Sequence, residues 1–128
     1  MQLIPISRRT VIAFAAVSLA AMLPASLALA HAEFKSSTPA PNAVLATSPA
    51  GVTITFIEDI TLKFSGASVT GPDKAAVRTG PAALDPKNHA VLIIPIVDAL
   101  TTGRYTVEWH NLSTDGHRLQ GSFTFSVK

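Results

Sequence analysis

An all-β fold, a β-sandwich or small Greek-key barrel of about seven short strands, is what this sequence predicts. Three features carry that reading. Residues 52–56 and 104–110 alternate apolar and polar side chains, the period of a half-buried strand. Clusters rich in Pro, Gly, Asn and Asp recur about every 8–12 residues, the turn spacing of such folds. From His31 onward, no segment repeats its apolar positions at helical spacing.

Residues 1–30 read as a cleaved signal peptide. Arg8 and Arg9 supply the charged end, and residues 11–23 form an apolar run broken only by Ser18. Ala28-Leu29-Ala30 then offers a small-x-small cleavage site. A membrane span needs about 20 apolar residues, and Pro24 with neighbouring serines makes this stretch poor for one. The arginine pair before the apolar run also suits a twin-arginine signal, so the Sec and twin-arginine routes both stay open. Cleavage leaves one domain, residues 31–128, not embedded in a membrane. It removes Arg8 and Arg9, which takes ten basic residues to eight against eight acidic ones, a formal charge of zero. The basic character of the whole chain thus belongs to its leader, and binding of nucleic acid through bulk charge has no support.

The chain has no cysteine. An exported domain of this size without disulfides is held by its core alone. Zinc–thiolate sites, iron–sulfur clusters, thiol redox chemistry and thiolate-ligated blue copper are excluded with it.

Taken in order, residues 32–37 form a short first strand, and Thr38-Pro-Ala-Pro-Asn42 a turn in which proline blocks helix and central-strand pairing. A loop at 47–51 leads into the strand 52–56. Residues 62–69 continue the alternation until Gly71-Pro-Asp73 stops it, 75–78 suit an edge strand, and 80–87 read as a loop. Residues 90–96 are apolar and β-branched, a buried strand bent or ended at Pro95. Residues 98–103 read as a turn with room for one helical turn. In 104–110, Tyr105, Val107 and Trp109 face inward, and Phe123, Phe125 and Val127 do so in the last strand, 121–127.

The chemistry gathers at two places far apart in sequence. Between the last two strands a polar loop carries Asp115 and His117, whose side chains leave on the same side of an extended chain. Cleavage after Ala30 would give His31 a free α-amine beside its own imidazole, and amine nitrogen and Nδ1 can close a six-membered chelate on one metal. No internal histidine can do this. Adding His117 and Asp115 makes a set of three nitrogens and one oxygen, which favours tetragonal Cu(II), with tetrahedral zinc the main competitor. Glu58, with Asp59 at the end of a strand, is an outer or axial ligand or a plain edge charge. Asp115-Gly116 is equally a good turn pair, and His89 and His110 are weaker candidates. No Ser–His–Asp spacing and no phosphate-cradling glycine loop is present.

Several residues recur in a familiar order: His31 at the new N-terminus, Ser36-Ser-Thr-Pro-Ala40, Phe56-Ile-Glu58, Leu100-Thr-Thr-Gly-Arg-Tyr-Thr-Val-Glu-Trp109, Ser113-Thr-Asp-Gly-His117 and Gly121-Ser-Phe-Thr-Phe125. Nearly the whole mature chain thereby resembles the CopC family of periplasmic copper-resistance proteins. The resemblance implies a Greek-key β-sandwich or barrel, immunoglobulin-like or cupredoxin-like, with a Cu(II) site near one end. By motif, His31, Asp115 and His117 are its ligands, and Glu58 matches a nearby glutamate of some members. Members with a second, Cu(I) site carry a methionine-rich loop, whereas the only methionines here are Met1 and Met22, both in the leader. The resemblance therefore implies a Cu(II)-only protein holding one ion per mature chain, not an enzyme, with a CopD-type inner-membrane copper transporter as partner. The competing readings are a copper monooxygenase, which also clamps copper with an N-terminal histidine, and a metal-free immunoglobulin-like interaction module.

Overall fold

The computed structural model describes residues 34–128. Eight strands pack as two four-stranded sheets. They are β1 (Phe34–Thr38), β2 (Val44–Leu45), β3 (Gly51–Phe56), β4 (Gly66–Thr70), β5 (Ala83–Asp85), β6 (Asn88–Pro95), β7 (Gly103–Leu112) and β8 (Arg118–Val127). One sheet has the order β1-β3-β6-β5, the other β2-β8-β7-β4. The chain switches sheets at each step through β5, then closes with the hairpins β5–β6 and β7–β8.

The strands form where alternation predicts them, because each sheet wets one face and buries the other. β3 alternates half-buried and buried positions, and Val52 and Ile54 are fully enclosed. β7 and β8 contribute Tyr105, Val107, Trp109, Phe123, Phe125 and Val127 to the same core, as expected from sequence. Each such large side chain contributes about 1.5–3 kcal/mol on leaving water. Aromatic contacts tie the sheets together: Phe56 meets Trp109 edge-on at 5.2 Å between centroids, and Phe34 stacks on Trp109 at 6.1 Å.

Four expectations are corrected. Residues 62–69 are not one strand. Leu62–Phe64 forms a single 3₁₀ turn with Leu62 and Phe64 exposed, and the strand begins only at Gly66. The Ser65 hydroxyl fixes this break by donating to the Thr61 carbonyl and accepting from the Leu112 N–H. Residues 75–78 form no strand, because their backbone bonds are divided between the two sheets. Val77 N–H reaches the Val69 carbonyl of one, while the Arg78 carbonyl receives Val97 N–H beyond β6 of the other. In the region read as a loop, Ala83–Asp85 pairs with β6, and the two-residue β2, between the turn at 38–42 and the loop at 47–51, runs parallel to the end of β8. No helical turn forms at 98–103.

Direction matters most for the site. β3 and β7 run toward one pole of the sandwich. Antiparallel pairing makes β1, β6 and β8 start there.

Gly121 is a test of the packing. A Cβ there would sit 2.5 Å from the Trp109 ring, which lies on the glycine backbone. Gly121→Ala is expected to destabilise the domain by about 1–3 kcal/mol in chemical denaturation, with altered Trp109 fluorescence; unchanged stability would contradict this packing.

Candidate metal centre

The β7–β8 hairpin closes through Ser113–His117, and its backbone explains the geometry. Ser113 N–H donates to the His117 carbonyl at 2.9 Å, and Gly116 N–H returns to the Ser113 carbonyl at 3.0 Å. Gly116 supplies φ +93°, a conformation that L side chains rarely adopt. A second set of bonds fastens this turn to the connection after β3. Thr114 N–H donates to the Asp59 carbonyl and Thr61 N–H to the Leu112 carbonyl, around a bridge between Ile60 and Ser113.

Ser113 is 1 % exposed and organises the polar groups above it. Its hydroxyl donates to Asp115 Oδ1 and accepts from the His117 N–H at 3.1 Å. His117 Nδ1 lies 3.2 Å from the same Asp115 oxygen. Asp115 and His117 are therefore adjacent, as expected, but through a tight turn rather than extended spacing. Both remain accessible, with side chains 51 % and 75 % exposed. The Ser113 hydroxyl holds the Asp115 carboxyl below its ordinary range against an opposing push from burial, with help from His117 and from Glu58. The Thr114 N–H bond to the Asp59 carbonyl brings the chain beside Glu58 up against this turn.

Among the described residues, no three His, Asp or Glu side chains group tightly enough to hold an ion by themselves. His31 lies outside the described residues. The remaining histidines do not join the pair as a metal cluster. His89 is exposed near the start of β6, its carbonyl accepting from Ile60, and the His110 imidazole lies over Gly66 on an outer sheet face. Sequence reasoning missed Ser113 as a supporting group. Its only signal was its place two residues before Asp115, and a serine shows such a role only once its burial is known.

Chemically, the turn presents a carboxylate and an imidazole on one rigid support. Two donors with bonds of about 2.0–2.1 Å to one ion at a right angle stand about 2.9 Å apart, close to the 3.2 Å found here. The pair fits one edge of a coordination square.

Fold and site together describe a small, cysteine-free β-sandwich with a carboxylate–imidazole pair fixed at one pole. The chain belongs to the CopC family, whose CopC domain matches residues 34–128. It is 42% identical over 99 residues to protein YobA of Escherichia coli strain K12, covering 77% of this chain and 80% of that protein. Copper resistance protein C of Escherichia coli is 38% identical over 111 residues, covering 79% and 84% respectively. The crystal structure of PcoC, a methionine-rich copper resistance protein from Escherichia coli, matches with a TM-score of 0.66 at 33% identity, covering 75% of this chain and 97% of that one.

Ser113→Ala is expected to return the Asp115 carboxyl toward its ordinary range in an NMR-monitored pH titration. Since folding lowers this pKa, Asp115 adds stability above the ordinary carboxylate range and loses it as pH falls through the folded value. The variant should flatten that acid-side dependence; an unmoved Asp115 titration would contradict the role given to Ser113.

Proposed function

We propose that this protein binds one Cu(II) ion in the periplasm and acts in copper resistance as a carrier or sequestering protein. The observation that carries this reading is the Asp115–His117 pair, held 3.2 Å apart at the pole where β1 begins. In this reading residues 1–30 are removed on export, and His31 becomes a bidentate ligand through its amine and Nδ1. Three residues of chain reach at most about 10 Å, which keeps His31 near Phe34, paired with Phe56 just ahead of Glu58. His117 and Asp115 complete the square, and Glu58 stands as an outer or axial group. Three nitrogens and a carboxylate suit Cu(II).

The relatives support copper as the metal through their names. PcoC is described as methionine-rich, whereas residues 34–128 contain no methionine, which leaves no thioether for Cu(I) among them. Buried Trp109 and Tyr105 leave neither as a surface platform for a polysaccharide, and a ligating Asp115 would occupy copper. Both points favour a carrier over a monooxygenase. A CopD-type inner-membrane transporter is the recipient this reading assigns.

Binding needs a deprotonated amine, and a free α-amine has a pKa of about 7.7–8.0. Affinity should therefore fall as pH drops below that range. Cu(II) titration into forms starting at His31 and starting one residue earlier tests the chelate. The extra residue should weaken binding more than about 100-fold, beyond the roughly 10–100-fold loss of an outer-sphere partner. Nitrogen coupling in electron paramagnetic resonance should change with it. Equal affinity and equal spectra for the two forms would refute the N-terminal chelate.

A further inference from the structure

We propose that Asp115–Gly116 is a site of backbone isomerisation to isoaspartate, and that the Ser113 hydroxyl holds it closed. The turn alone carries this; only the consequence for copper rests on the copper reading. Gly116 N–H donates to the Ser113 carbonyl and Ser113 N–H to the His117 carbonyl. That is the pattern of a type I turn followed by one residue at positive φ. Gly116 is that residue, at φ +93°, which glycine adopts without steric cost. The hairpin thus requires glycine directly after the carboxylate, and the result is an Asp–Gly pair. Such a pair is open to attack by backbone on side chain, because no Cβ shields the glycine nitrogen. Here the approach is clear: a Cβ built at Gly116 meets nothing within 4 Å, and the Asp115 side chain is half exposed.

The reaction needs only water. The Gly116 nitrogen attacks Cγ of the Asp115 carboxyl, and the new N–Cγ bond closes a succinimide ring. The carboxyl hydroxyl leaves as water, taking the amide proton. Water then reopens the ring. Entry at the main-chain carbonyl of Asp115 breaks its bond to the Gly116 nitrogen, so the chain continues through Cγ and the α-carboxyl is set free. The product is isoaspartate, with one extra methylene in the backbone.

Ser113 engages both reacting groups. Its carbonyl accepts from the Gly116 N–H at 3.0 Å, and its hydroxyl donates to Asp115 Oδ1. That hydroxyl is fixed in turn by the His117 N–H at 3.1 Å, on a residue only 1 % exposed. Swinging the carboxyl onto the Gly116 nitrogen must break the hydroxyl bond and release the amide. Ser113 therefore preserves Asp115 as well as placing it. Once formed, isoaspartate would lengthen the turn and displace the carboxylate from its place beside the His117 imidazole. On the copper reading, one edge of the coordination square would be lost.

The test ages metal-free wild-type protein, Ser113→Ala and Ser65→Ala at neutral pH, well below their unfolding temperatures. Isoaspartate at position 115 is quantified by peptide mapping with fragmentation that separates the two isomers. Ser65→Ala removes another buried hydroxyl of this pole, one that bonds the Thr61 carbonyl and the Leu112 N–H instead. Ser113→Ala should isomerise at least about tenfold faster than wild type, the rate equivalent of one hydrogen bond to a charged group. Ser65→Ala should stay near the wild-type rate. Equal rates for Ser113→Ala and wild type overturn the proposal. So does equal acceleration in Ser65→Ala, which would make general loosening of the pole the cause. A second measurement needs no variant: wild-type Asp115 should isomerise at least about tenfold more slowly folded than in urea, and equal rates overturn the proposal. No copper is added, so failure here leaves the copper reading standing, and a protein that bound no copper would still show the guarded pair.

Discussion

The seam between Asp59–Thr61 and Leu112–Thr114 is the constraint on which the rest of the site depends. One segment leaves β3 in the first sheet; the other leaves β7 in the second. Sheet packing alone leaves the two ends free to slide, since apolar contacts are non-directional. Two backbone hydrogen bonds and the Ile60–Ser113 bridge remove that freedom at one pole. They bring Glu58, Asp115 and His117 from distant parts of the sequence onto one support. The same seam buries Ser113 nearly completely, and its hydroxyl then has few partners besides Asp115 and the backbone of the turn.

Rigidity here comes without covalent help. A chain lacking cysteine relies on the apolar interior, where Phe34, Phe56, Trp109 and Phe123 form a connected aromatic layer just beneath the pole. That layer also sets the height at which the chain enters β1. Core packing and site geometry are therefore one problem: whatever shifts Trp109 shifts the entry point of the N-terminal segment relative to the turn. An ion held between an N-terminal chelate and a fixed turn would feel such a shift directly, because coordination tolerates little error in donor placement.

Much of the fold was legible because period-2 alternation follows from wetting one face of a sheet. β3, β7 and β8 show it, and β6 shows the apolar run of a covered strand. The elements that escaped are those defined by neighbours. β2 has two residues and exists by pairing with β8; β5 lies among prolines and exists by pairing with β6. Leu62 and Phe64 misled because their spacing imitates a strand while both sit exposed on a 3₁₀ turn. At the site, the pairing of Asp115 with His117 was legible from spacing, although the turn achieves it differently. The placing of the chain beside Glu58 against the turn depends on the seam, and the burial of Asn111 depends on packing. Neither follows from local sequence.

The central claim is that one copper ion sits at the pole between the start of β1 and the β7–β8 turn. Paramagnetic broadening of amide signals tests it most directly, by adding less than one equivalent of Cu(II) to isotope-labelled mature protein. The account predicts loss of signals from Phe34, Glu58–Ile60 and Ser113–Arg118, with Gly71–Arg78 and Asp98–Thr101 at the opposite pole unaffected. Broadening centred on His89, on the outer face around His110, or on the opposite pole would contradict it.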